Sequence, residues 1–130
     1  MTEDKKFKIL LAEDDKFISR AYKDGLERAG FIVIQATDGE QAMEKTKQEV
    51  PDIILLDLIM PVKNGFEVLK GVKADEATKN IPIIILSNLG QDSDIEKGRE
   101  LGAADYMIKS NFSMNEVIEK IKGHLKISAQ

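Results

Sequence analysis

Short apolar runs alternate with amphipathic stretches along the chain, a pattern that predicts strand, helix, strand, helix with a parallel sheet between helical layers. Five strands are expected, over Phe7–Ala12, Phe31–Ala36, Asp52–Asp57, Ile81–Leu86 and Ala104–Ile108, the central ones rich in Ile, Leu and Val. The first helix is predicted over Lys16–Ala29, with Ile18, Tyr22, Leu26 and Ala29 on one stripe and Gly30 as its stop. Further helices are expected over Gln41–Gln48, Phe66–Ala74, Ile95–Leu101 and Asn115–Lys126. The last shows the clearest apolar face, Val117, Ile118, Ile121 and Leu125, behind a Ser113 cap with Glu116 three residues on. By contrast the fourth, in DSDIEKGRELG, has little to bury. Right-handed crossovers then give a doubly wound α/β sheet whose strand C-termini all open onto one edge, where ligands bind.

Composition narrows the picture. The chain's 130 residues, 42% hydrophobic and 32% charged, predict a single globular domain over 1–130, with its core in 7–126. Nineteen Lys and Arg against 23 Asp and Glu leave a formal charge of -4 with no basic tract, which argues against direct nucleic-acid or membrane-surface binding through bulk charge. There is no cysteine, so disulfides and thiolate metal sites are excluded, and no apolar run approaches the roughly 18 residues of a membrane span. MTEDKKFKIL lacks the apolar centre of a signal peptide, and a cytoplasmic protein is expected.

Candidate chemistry gathers at the strand ends. In IILLDLIMPVKNG, residues 53–65, a strand with no polar face runs into Asp57, just ahead of the turn signals Met60-Pro61 and Asn64-Gly65. Equivalent positions carry Glu13-Asp14-Asp15 after the first strand, Ser87 after the fourth and Lys109 after the fifth. Clustered carboxylates repel and raise one another's pKa unless a cation neutralises them, and an all-oxygen set suits Mg²⁺ or another hard divalent ion such as Mn²⁺. Asp57 is then an ionised nucleophile, Lys109 a fixed positive charge and Ser87 a hydroxyl for an added oxyanion, which together describe a phosphoryl-accepting aspartate. Singly, each residue has a plainer role. Asp14 or Asp15 would cap the first helix, Ser87 the fourth, Lys109 would be a solvated charge and Asp57 a turn former. Their convergence on one sheet edge favours function.

With these residues in place, the sequence resembles the receiver domains of bacterial two-component response regulators, including the stand-alone chemotaxis receiver, from Phe7 to about Lys126. The motifs are ILLAEDD (9–15), IILLDLIMPVKNG (53–65), IIILSN (83–88) and GAADYMIKS (102–110). The resemblance implies a flavodoxin-like (βα)5 fold with strand order 2-1-3-4-5. It implies that Asp57 is the phosphorylation site, that Asp14 holds Mg²⁺ directly and Glu13 through water, and that the Ile59 carbonyl is a further ligand. It makes Ser87 the switch hydroxyl, Lys109 the phosphate-binding cation and Tyr106 the switch aromatic. A sensor histidine kinase or histidine phosphotransfer domain would be the donor, docking beside the first helix near Lys16 and Phe17. An output partner would read the surface of the fourth helix, fifth strand and fifth helix, and the protein would be a monomer or a weak phosphorylation-dependent dimer. It would be no enzyme, beyond assisting its own phosphorylation and dephosphorylation.

Three positions depart from the family's pattern. Asn88 stands where a small residue is usual, Leu89 follows it, and Ser110 replaces the proline after the lysine, so a trans Lys109-Ser110 bond is expected. Ile59, Leu89 and Asn88 are expected to shield the phosphoryl group from water and lengthen its lifetime. Among rivals, an aspartate-nucleophile phosphohydrolase would carry a second Asp two residues after the first, where this chain has Ile59. A flavodoxin-type binding module would need a Ser/Thr- and Gly-rich loop where three acids stand. A receiver that signals without phosphorylation would have lost Asp57 or the acidic pair, and both are kept.

Overall fold

A computed structural model describes residues 6–126, so the ends of the expected 1–130 domain lie outside the described residues. Five strands, β1 (Lys8–Ala12), β2 (Ile32–Ala36), β3 (Ile53–Leu56), β4 (Ile83–Ser87) and β5 (Asp105–Ile108), form one parallel sheet in the order β2-β1-β3-β4-β5. Between and after them run α1 (Lys16–Arg28), α2 (Gly39–Glu49), α3 (Gly65–Ala74), α4 (Asp92–Glu100) and, behind a short 3₁₀ turn at Lys109–Asn111, α5 (Met114–Leu125). The doubly wound order expected from the resemblance is the one observed.

Period-two alternation divides the uninterrupted apolar strands between two cores. Leu10, Ala12, Ile54, Leu56, Ile83 and Ile85 pack with Ala42 of α2 and Val68, Leu69 and Val72 of α3. Their neighbours Ile9, Leu11, Ile53, Leu55, Ile84 and Leu86 pack with Leu26 of α1 and Val117 and Ile121 of α5. Each fully buried side chain of this size contributes roughly 1.5 to 3 kcal/mol, so both helical layers are held by the sheet's own residues.

Helix starts follow local capping chemistry. The Asp15 side chain accepts from the backbone N–H groups of Phe17 and Ile18, and Asp38 from Gln41. Asn64 with Glu67, and Ser113 with Glu116, form capping boxes. Three boundaries correct the sequence reading: α2 begins at Gly39 and α4 at Asp92, ahead of the expected Gln41 and Ile95, and β4 begins at Ile83, after the expected Ile81. The first turn of α4, Asp92-Ser93-Asp94, has no apolar residue to mark it, and Gly98 is the only buried residue of that helix. Ser87 caps nothing there, because Gln91 is the N-cap position and no side chain bonds it.

The loop after β3 is shaped by close backbone approach. A Cβ on Gly65 would lie 2.5 Å from the Asp57 carbonyl oxygen, and one on Gly39 would lie 1.9 Å from that of Lys63. Between them, Lys63 N–H donates to the Pro61 carbonyl at 2.8 Å across Val62, whose φ is +71°. Val50, ending α2, also sits in the left-handed region, at φ 44° and ψ 67°, and is exposed. A β-branched residue is disfavoured there and glycine is not, so Val50→Gly is expected to stabilise the fold by about 1 kcal/mol. Urea denaturation checks this, and a lower midpoint would show that Val50 makes contacts worth more than the backbone relief.

Candidate functional site

Glu13 and Asp57 are placed by ladders that extend one residue past their strands. Glu13 N–H donates to the Ala36 carbonyl at 3.0 Å, and Asp57 N–H to that of Ala12 at 3.0 Å. Both side chains are buried, Glu13 at 3% exposure and Asp57 at 7%, whereas Asp14 is exposed. Oxygens of Glu13, Asp14 and Asp57 lie within 4.8 Å of one another. The fourth acid of the set, Asp15, points to the α1 N-terminus instead.

Lys109 enters from the 3₁₀ turn immediately after β5. Its Nζ donates to Asp57 Oδ2 at 2.8 Å and also to Glu13 Oε1, and only 11% of its side chain is exposed. Burial pulls this ammonium down, but its hydrogen bonds to Asp57 and Glu13 outweigh that and leave its pKa raised. Burial pushes Glu13 up, and the hydrogen bond from Lys109 only partly offsets it. The remaining bonds finish the cradle: Asp57 Oδ1 accepts from Ile59 N–H at 3.2 Å, and Glu13 Oε2 from Asp15 N–H at 3.0 Å. Hard oxygen donors this close fit a divalent cation by their chemistry.

Ser87, fully buried, is the last residue of β4, and its Oγ accepts from Leu89 N–H at 3.3 Å. Tyr106 of β5 donates its hydroxyl to the Leu89 carbonyl. The two expected switch residues thus hold the two polar groups of one peptide residue. Tyr106 also lies against α4, since a Cβ on Gly98 would sit 3.3 Å from its ring.

Phe17, named beside the expected docking site, is 86% exposed. Of the expected shield, Ile59 is exposed, while Leu89 packs on the core beside Tyr106 and the Asn88 amide oxygen accepts from Ser110 N–H at 3.1 Å. The Lys109-Ser110 bond is trans, as expected from the absence of proline. Sequence reasoning placed Tyr22 on an apolar stripe only. It lines one small cleft with Glu13, Asp57 and Lys109, a closeness that i, i+4 spacing cannot reveal.

The family model for the response regulator receiver domain matches residues 9–122. The chain belongs to the response regulator receiver family. This receiver is 40% identical over 121 residues to the alkaline phosphatase synthesis transcriptional regulatory protein PhoP of Bacillus subtilis, covering 93% of this chain and 49% of that one. It is likewise 40% identical over 121 residues to the transcriptional regulatory protein CpxR of Escherichia coli, covering 93% and 50%. The chain thus spans about half the length of these relatives. Among solved structures, the Francisella response regulator 1452 receiver domain superposes with a TM-score of 0.85 at 32% identity, covering 92% of this chain and 97% of that one. The Vibrio cholerae chemotaxis protein CheY4 gives 0.85 at 28% identity, covering 92% and 98%.

Burial raises the phenols of both tyrosines, Tyr22 in the acidic cleft and Tyr106 beside Leu89 and α4. Tyr106 is pushed up to about 12, with Asp94 and Asp57 adding to burial. A phenol raised on folding contributes stability that is complete below its unfolded value, near pH 10, and is lost as pH climbs through the folded value. Tyrosinate absorbance of the folded receiver is therefore expected to lag that of the urea-unfolded chain around pH 10. Coincident titration curves would refute the raising of both phenols.

Proposed function

We propose that this receiver is a phosphorylation-activated switch that accepts a phosphoryl group from a phosphohistidine onto Asp57. The observation that carries the reading is the Lys109 ammonium held between Asp57 and Glu13 at the open sheet edge. An Asp57 carboxylate oxygen attacks phosphorus, the P–N bond to the donor imidazole breaks, and the imidazole leaves with a proton. Lys109, already on Asp57 Oδ2, offers its charge to the oxygens that arrive. Glu13, Asp14, Asp57 and the Ile59 carbonyl would hold Mg²⁺ or Mn²⁺, which when bound neutralises charge on the transferring group.

Ser87 Oγ accepts from Leu89 N–H, so its own proton is available to a phosphoryl oxygen. A Ser87 drawn inward strains that bond, Leu89 carries the change to Tyr106 through its carbonyl, and Tyr106 transmits it to α4. With one buried residue, α4 has little to hold it in place, and the α4-β5-α5 surface is the face an output partner reads. The donor is a sensor histidine kinase or phosphotransfer domain, met beside the exposed Phe17 of α1. The relatives' names describe transcriptional regulation, and the output controlled by this receiver is proposed to be of that broad kind. Catalysis stays confined to its own phosphorylation and dephosphorylation. No described helix is long and apolar enough to cross a membrane, which fits the expected cytoplasmic setting.

Incubation with acetyl phosphate and Mg²⁺, followed by intact-mass measurement, tests the reading. One added phosphoryl group is expected, and none would overturn it. Mg²⁺ alone is expected to stabilise the fold by about 1.4 kcal/mol at ten times its Kd. An unchanged Tm at saturating Mg²⁺ would rule out the carboxylate set as its site.

A further inference from the structure

Two of the three sequence departures, Asn88 and Ser110, are bonded to each other. Ser110 is the second residue of the 3₁₀ turn that starts at Lys109, so its N–H precedes any intra-turn acceptor. The Asn88 amide oxygen meets it at 3.1 Å from a loop 22 residues earlier. Each partner adjoins a group assigned to the phosphoryl oxygens: Asn88 follows Ser87, and Ser110 follows Lys109. A proline at 110 would supply no N–H, so the side chain at 88 and the residue type at 110 depend on one another.

We propose that Asn88 is a positioning residue, whose carboxamide caps the Lys109 turn from the β4-α4 loop and fixes where the lysine enters the site. The proposal rests on the phosphoryl-accepting reading above. The turn has no other side-chain cap, and α4 beyond the loop is thinly packed, so without this bond the Lys109 turn is tied to the β4-α4 loop only through the ladder that ends at Ser87 and Ile108. Lys109 then spends less time on Asp57, and a small displacement of a group that must meet a developing charge slows transfer steeply.

Asn88→Ala, Ser110→Pro and the double variant are compared with wild type for rate of uptake from acetyl phosphate with Mg²⁺, across donor concentrations. Each single variant is expected to slow the maximal rate about tenfold with little change in half-saturating donor. The double variant is expected to be no slower than the slower single, because one bond is removed either way. Ser110→Ala, which keeps the backbone donor, restores what Ser110→Pro loses. Uptake by Asn88→Ala at the wild-type rate would overturn the proposal, as would a loss confined to thermal stability. Additive slowing in the double variant would also overturn it. Hydrogen exchange of the Ser110 amide gives a reading independent of phosphorylation: protection in wild type and its loss in Asn88→Ala are expected, and unchanged exchange overturns the bond. Wild type that takes up no phosphoryl group would instead refute the function, with amide exchange still deciding the clasp.

Discussion

Asp57→Asn is expected to abolish phosphoryl uptake from acetyl phosphate, and Asp14→Ala to come close to doing so. The amide at 57 offers no ionised oxygen to attack phosphorus, and the buried Glu13 and the capping Asp15 are committed to other partners. Glu13 is turned to Lys109 and the Asp15 N–H, and Asp15 is committed to the α1 cap. Asp14 is the exposed acid of the trio, so its loss removes an accessible ligand without opening the core. Excess EDTA should have the same effect as Asp14→Ala, since uncompensated carboxylates repel an incoming phosphoryl donor. Intact-mass measurement reads all three. Undiminished labelling of Asp57→Asn would place the acceptor elsewhere, and full labelling in EDTA would remove the need for a metal.

Lys109→Ala is expected to lower the rate of uptake about 100-fold and to destabilise the metal-free fold by about 2 kcal/mol at neutral pH. Among the described residues, Lys109 is the sole cation bonded to these two buried carboxylates, so removing it leaves Glu13 and Asp57 facing each other unneutralised. The sign of the pH dependence follows from Glu13. Burial already raises its pKa, and loss of Lys109 raises it further. The destabilisation is therefore full above the pKa of Glu13 and fades as pH falls through it and the carboxyl becomes neutral. Saturating Mg²⁺ should shrink it too, by supplying positive charge to the same oxygens. Urea denaturation across pH, with and without Mg²⁺, separates these outcomes. A variant as stable as wild type in the absence of metal would show that the two acids tolerate their proximity unaided.

Much of this site could be read before any coordinates. Asp57, Glu13, Asp14, Ser87 and Lys109 stand out as candidates because each follows or ends an apolar run, and the parallel order brings all such positions to one edge. Less legible were the partners. Nothing local distinguishes Asp15, which caps α1, from Asp14, which stays with the acidic trio. Tyr22 lay hidden in a core stripe, although its ring reaches the cleft of the acids. Leu89 looked like a shield, yet its backbone joins Ser87 to Tyr106. The start of α4 was missed because an acidic first turn carries no periodic signal.

By itself the sequence determined the order and type of the elements, the two-sided strands and the cap at Ser113, because propensity, periodicity and capping act over a few neighbouring residues. What only the tertiary structure decided are the meetings of distant groups. Lys109 reaches acids 96 and 52 positions away, and Asn88 reaches the Ser110 amide across 22. Such bonds depend on where the crossovers set each loop and on burial deep enough to make a lone charge costly. No window of sequence contains both, and the folded sheet supplies them together.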